Sequence, residues 1–143
     1  MEYSSPELIQ TVGGVFNKWL ATTKMIGACE LDIGQYDNGV DAHIDFPSGA
    51  SMFVQVKFIQ DIGLMSEDYF LYFEETDWCA RMIRAGYDLI YVPQAIVWHE
   101  VSSTDSDSSK KTYYMERNRI RFAIKNFDTS YLILFLCYSF LES

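Results

Sequence analysis

Three carboxylates, Glu74, Glu75 and Asp77, follow directly on the aromatic run Tyr69–Phe73 and precede a stretch with helical spacing. A carboxylate at a helix start is oriented by unpaired backbone N–H groups, which also favour its ionised form. Such a group suits general-base work, the removal of a proton from an attacking hydroxyl. The same acids also read as an ordinary charged helix start, and spacing alone does not choose among the three. His99 closes a short apolar stretch, where an imidazole can ligate a divalent ion such as manganese or simply hydrogen-bond at a strand end. Trp78 offers a ring that could stack on a sugar, but with Met82 at helical spacing it also reads as core.

The elements that must position these groups follow from periodicity and punctuation. Residues 1–46 carry turn signals at Gly13-Gly14, Gly34 and Asn38-Gly39, with short strands and loops between them. After the turn Pro47-Ser48-Gly49, Ala50–Val54 reads as a short buried strand, and Val56–Ile62 as a helix stopped by Gly63. Tyr69–Phe73 reads as extended. The helix that begins at the acids places Trp78, Met82 and Ala85 on one side and ends with Arg81, Arg84 and Gly86. Tyr87–Val92 and Ala95–Trp98 read as strands separated by Pro93. Strand, helix and strand in this order indicate an α/β architecture.

Ser102–Ser109 is small and polar, which predicts a loop. Residues 110–126 predict a helix with Tyr113, Ile120 and Ile124 toward protein or a membrane interface and the cations outward. The apolar run Tyr131–Leu141 has eleven residues, short of the roughly 20 needed to span a bilayer.

Composition narrows the partners. With 49% hydrophobic and 16% aromatic residues the chain is globular rather than disordered. A net charge of −9 argues against nucleic acid, whose phosphates require clustered cations. Within residues 110–125, however, Lys110, Lys111, Arg117, Arg119, Arg121 and Lys125 face only Glu116, a local excess of +5. Residues 1–109 hold five basic against seventeen acidic residues. That split predicts a basic face meeting an anionic membrane surface. Cys29, Cys79 and Cys137 match neither a disulfide framework nor a zinc site, which suits a reducing compartment. The opening MEYSSPELIQ carries no signal-peptide pattern.

Residues 49–100 resemble glycosyltransferase family 2, in particular enzymes that add rhamnose-like sugars to surface polysaccharides. The resemblance rests on the turn Pro47–Met52, the segment Phe70–Glu100 with its acidic motif, helix and histidine-ended strand pair, and Tyr113–Phe122 (YYMERNRIRF). It extends loosely back to Gly34–Asp37. It implies a partial GT-A fold, Rossmann-like, with residues 1–109 as the acceptor-side half and 110–143 as a basic amphipathic helix and apolar tail. On this resemblance the chain begins after the nucleotide-binding half and is expected to be inactive alone.

The implied activity is inverting transfer of a sugar from a nucleotide-diphosphate sugar to a polysaccharide or lipid-linked glycan. Glu75 takes the place of the family's usual aspartate base, with Asp77 second. Ser48, Gly49, Glu74 and Trp78 become substrate contacts, and His99 a ligand for Mn or Mg beside the diphosphate. Asp105-Ser106-Asp107 has the family's metal-holding D-x-D pattern but follows His99 instead of preceding the glycine turn, and so reads as a solvated loop. The implied location is peripheral, on the cytoplasmic face of the cell membrane. The competing reading is a non-catalytic remnant that binds glycan or protein. A glycoside hydrolase fits poorly, since its two acids flank a sugar from different strands.

Overall fold

Residues 5–39, 43–100 and 108–142 are described in the structure, a computed structural model. Near the N-terminus, β1 (Gly14–Asn17) and β2 (Thr22–Met25) form an antiparallel hairpin with Gly14 opposite Met25 and Asn17 opposite Thr22. Its turn is held by the Asn17 side chain, whose Oδ1 accepts from the N–H groups of Trp19 and Leu20 at 2.9 and 3.3 Å. Pairing continues irregularly beyond the hairpin, through Val12 N–H to Ile26 O and Ile9 N–H to Glu30 O. Gly14 also bridges to Phe46, and a Cβ there would sit 2.2 Å from the Phe46 ring, so only glycine lets that ring close over the strand.

Four helices follow: α1 (Val56–Ile62), α2 (Glu74–Arg84), α3 (Ser108–Asn126) and α4 (Thr129–Glu142). The helical periodicities thus produce helices where they occur. Gly63 closes α1 at φ 78°, as a residue without Cβ can. Beside it, Trp78 Nε1–H donates to Gly63 O at 2.9 Å, tying α2 to the end of α1. Trp78→Phe should therefore cost about 1–3 kcal/mol in urea unfolding, the lost bond plus the gap left by the smaller ring in the core.

The strand assignments fare differently. Among the described residues the hairpin is the only sheet, and Ala50–Val54, Tyr69–Phe73, Tyr87–Val92 and Ala95–Trp98 are not strands. A strand needs a partner for its backbone groups, which local alternation cannot supply. Along 87–98 no ladder forms, and Ile90, Val92, Ile96 and Trp98 stand exposed.

Tyr69–Phe73 instead coils tightly, with Phe70, Tyr72 and Phe73 at φ 63°, 67° and 72°. Left-handed conformations cost a non-glycine residue about 1–3 kcal/mol each and persist only when neighbours over-determine them. Here the neighbours are aromatic. Tyr69, Phe73 and Phe122 form one buried cluster joined by Phe16, with Phe16 and Phe122 rings 4.6 Å apart. A second cluster of Ala21, Ala123 and Phe135 joins the hairpin to α3 and α4.

The cations of α3 do not all point outward as expected. Arg117 and Arg121 reach back to backbone carbonyls of the 68–69 turn, and Lys125 Nζ lies 3.0 Å from Asp68 Oδ2. Lys125's hydrogen bond and charge, helped by Arg121, lower the pKa of Asp68. Arg119 pairs with Glu116 at 3.3 Å and lies over the Phe135 ring. Tyr113, Ile120 and Ile124 are exposed, as are Lys110, Lys111 and Lys125.

Candidate active site

The start of α2 is built unusually. Its N-cap, Phe73, is left-handed and offers no side-chain acceptor, so the first-turn N–H groups are left to the acids that follow. Glu75 takes them: the backbone N–H groups of Glu75 and Thr76 bond its own carboxylate. Burial nevertheless raises the Glu75 pKa above the usual carboxylate range, the neighbouring charge of Glu74 raises it further, and those two N–H bonds only partly offset both. Glu75 Oε2 and Glu74 Oε2 are each buried without a hydrogen-bond partner.

Across from this pair lies the glycine turn. A Cβ on Gly49 would stand 3.8 Å from Glu75 Oε1, so the turn passes within contact of the carboxylate. The adjoining Ser48 Oγ accepts from Ala50 N–H at 3.3 Å. A cavity of about 450 Å³ opens beside them, walled by Ser48, Met52, Cys79, Tyr91 and His99 among others. Cys79, one helical turn beyond Glu75, lines that cavity, whereas Gly49, Glu74 and Glu75 are not among its lining residues. The Cys79 thiol is pushed up to about 12 by burial and by the charge of Glu75.

Asp77 is placed differently from Glu75. It is 3% exposed and both its oxygens are occupied: Oδ1 accepts from Tyr69 Oη at 3.1 Å and Asn126 Nδ2 at 2.9 Å, and Oδ2 pairs with Arg81 Nε at 3.1 Å. Burial and the Asp77 charge together keep the Tyr69 hydroxyl protonated. Trp78 is 5% exposed, its ring closed in by the protein, so it presents no open face for a sugar to stack on and serves as core.

His99 lies on the cavity wall with Nδ1 3.1 Å from the Gln10 side-chain amide. Among the described residues no group of three His, Cys, Asp or Glu could hold a metal ion, and one imidazole supplies too few ligands for manganese or magnesium. The donor set in hand therefore does not fit a divalent ion. Asp105 and Asp107 lie outside the described residues. His43 is exposed and pairs with Asp45 at 3.1 Å, away from the cavity wall.

Three residues that hold this region together gave no distinct signal in the sequence: Asn118, Arg117 and Gln10. Asn118 sits between two arginines, where it reads as part of a polar helix face, yet it is fully buried with Nδ2 2.6–2.9 Å from the carbonyls of Tyr69, Leu71 and Tyr72.

Comparison with known proteins bears on what this arrangement serves. Residues 4–140 match the profile of Glycosyl transferase family group 2. A Haloferax volcanii protein, the low-salt glycan biosynthesis hexosyltransferase, is 31% identical over 78 residues, which make up 53% of this chain and 25% of that protein. The chain's match thus spans a quarter of that relative's length. No solved structure matches the chain.

Proposed function

The chain belongs to glycosyl transferase family group 2, and from that premise we propose that it supplies the acceptor side of an inverting transfer from a nucleotide-diphosphate sugar to a polysaccharide or lipid-linked glycan. In this reading Glu75 is the general base. Its carboxylate takes the proton of an acceptor hydroxyl, the hydroxyl oxygen attacks the anomeric carbon, and the nucleoside diphosphate leaves from the opposite face. Gly49 leaves room for the acceptor to approach, and Ser48 and Glu74 contact it. A GT-A arrangement would bring the donor to the same cavity.

The observation that carries the reading is the Glu75 carboxylate, whose Oε2 is buried without a partner and whose Oε1 faces the Gly49 turn. A buried acceptor left unpaired costs about 1–3 kcal/mol, and a substrate hydroxyl would satisfy it. Asp77 has no such vacancy, so it is assigned to holding the helix start. The family generally uses a divalent metal, but no step is assigned to one here. The deciding measurement is sugar transfer to endogenous acceptor in membranes of cells expressing the wild-type chain or Glu75→Gln. Equal transfer by both would overturn the assignment and favour a glycan-binding role.

We further propose that the chain works at the cytoplasmic face of the membrane and docks through α4. Ile133, Leu134, Leu136, Phe140 and Leu141 are exposed along that helix, and no helix among the described residues is long and apolar enough to cross a bilayer. Cys29, Cys79 and Cys137 are unpaired, in keeping with a reducing compartment. Burying one such side chain in the interface is worth about 1.5–3 kcal/mol. Phe140→Glu should accordingly lower co-sedimentation with anionic vesicles by about tenfold or more. High salt should lower it less, because Arg117, Arg121 and Lys125 are engaged with the 66–69 turn.

A further inference from the structure

We infer that Asn118, with Arg117 and Arg121, is a positioning residue for Glu75: it clamps the left-handed turn Tyr69–Phe73 whose last residue caps α2 and so sets where the Glu75 carboxylate faces Gly49. This rests on the base assignment for Glu75 and explains how that base is held.

Four successive features support it. First, the turn carries three non-glycine residues at positive φ, Phe70, Tyr72 and Phe73, and none of them is stabilised by its own side chain in the way Asn or Asp is. Second, the carbonyls such a turn throws to one side converge on a single amide, with Asn118 Nδ2 at 2.9 Å from Tyr69 O, 2.6 Å from Leu71 O and 2.8 Å from Tyr72 O. Third, that amide is itself fixed, because Arg117 Nε donates to Asn118 Oδ1 at 3.0 Å while Arg117 Nη2 bonds Asp68 O and Tyr69 O at 3.0 and 2.7 Å. Arg121 Nη1 adds a bond to Asp68 O at 2.7 Å. Fourth, the clamped segment runs without a break into Phe73 and Glu74, the N-cap and first residue of α2. An acid two residues past a strained, side-chain-fastened turn has its direction decided by that turn.

The test reads the carboxylate itself, without turnover, by carbon-detected NMR titration of Glu75 in the whole chain. The groups facing Glu75 are the Glu74 carboxylate beside it and the neutral Cys79 thiol one turn on. Asn118→Ala should let the turn relax and carry Glu75 toward water, so that its midpoint falls at least halfway back to the ordinary glutamate value. Adding Phe70→Gly should restore it, because glycine holds positive φ without a clamp and Phe70 is 68% exposed.

A midpoint unmoved by Asn118→Ala overturns the proposal, and so does a shift that Phe70→Gly fails to reverse. Should Asn118→Ala not fold, Arg121→Met removes one tie at a half-exposed position and should move Glu75 the same way by less; no movement there also overturns it. Because transfer is not measured, the clamp can fail while the sugar-transfer reading stands, and the reverse.

Discussion

Glu75→Gln is expected to lower sugar transfer by about 10²–10⁴-fold, the usual contribution of a positioned general base. The loss should fall on the chemical step, since the amide fills the same space and still contacts the acceptor but cannot take its proton. In the wild-type protein transfer should rise with pH as Glu75 ionises, through a midpoint above the ordinary glutamate value, because burial and then Glu74 raise it. The same variant should not lose stability at neutral pH. A carboxyl whose folded pKa exceeds its unfolded value keeps its proton longer in the native state, so native stability declines as pH rises from about 4.5 through the folded midpoint. Gln removes that decline. Thermal unfolding at pH 5 and pH 8 checks the sign: a variant less stable than wild type at pH 8 would mean that the ionised carboxylate is held by partners rather than strained.

Asp77→Ala should do the opposite, costing about 3 kcal/mol and roughly 10 °C in thermal midpoint by circular dichroism. The side chain is 4% exposed, and its removal strands the Tyr69 hydroxyl and one donor of Arg81 and takes one of the two acceptors of the Asn126 amide, which keeps Phe122 O. The figure sits at the lower end for broken buried pairs because Arg81 is 26% exposed and keeps its bonds to Ile62 O and Leu64 O. Asp77→Asn retains one acceptor and should be milder. Once folded it should still transfer sugar, which separates Asp77 from Glu75 in a way that proximity in sequence does not.

The helices were legible because their signals are local. Apolar residues recur at 3.6-residue spacing, Gly63 and Gly86 mark ends, and the acids of α2 precede its first turn. The acid motif and the glycine turn were legible as a pair through family resemblance, and the structure sets Gly49 within contact of Glu75. The strands were not, since pairing depends on a partner elsewhere. YFLYF has the composition of a strand, but its carbonyls go to Asn118 and its rings to Phe122 and Tyr114. The direction of the α3 cations was equally hidden. A run of Lys and Arg reads as a solvated face until the carbonyls of a strained turn are found beneath it. Asn118 shows the limit most sharply, because an asparagine between arginines carries no mark of being wholly inside.

A thiol lies one helical turn from the proposed base, and in its ionised form sulfur is a far stronger nucleophile than any sugar hydroxyl. Burial, and then the charge of Glu75, push the Cys79 pKa up to about 12, so the thiol stays protonated at neutral pH. Part of that suppression comes from Glu75 itself. On the proposed assignment, the carboxylate that would activate the acceptor thus also helps to keep its neighbouring thiol protonated and unreactive.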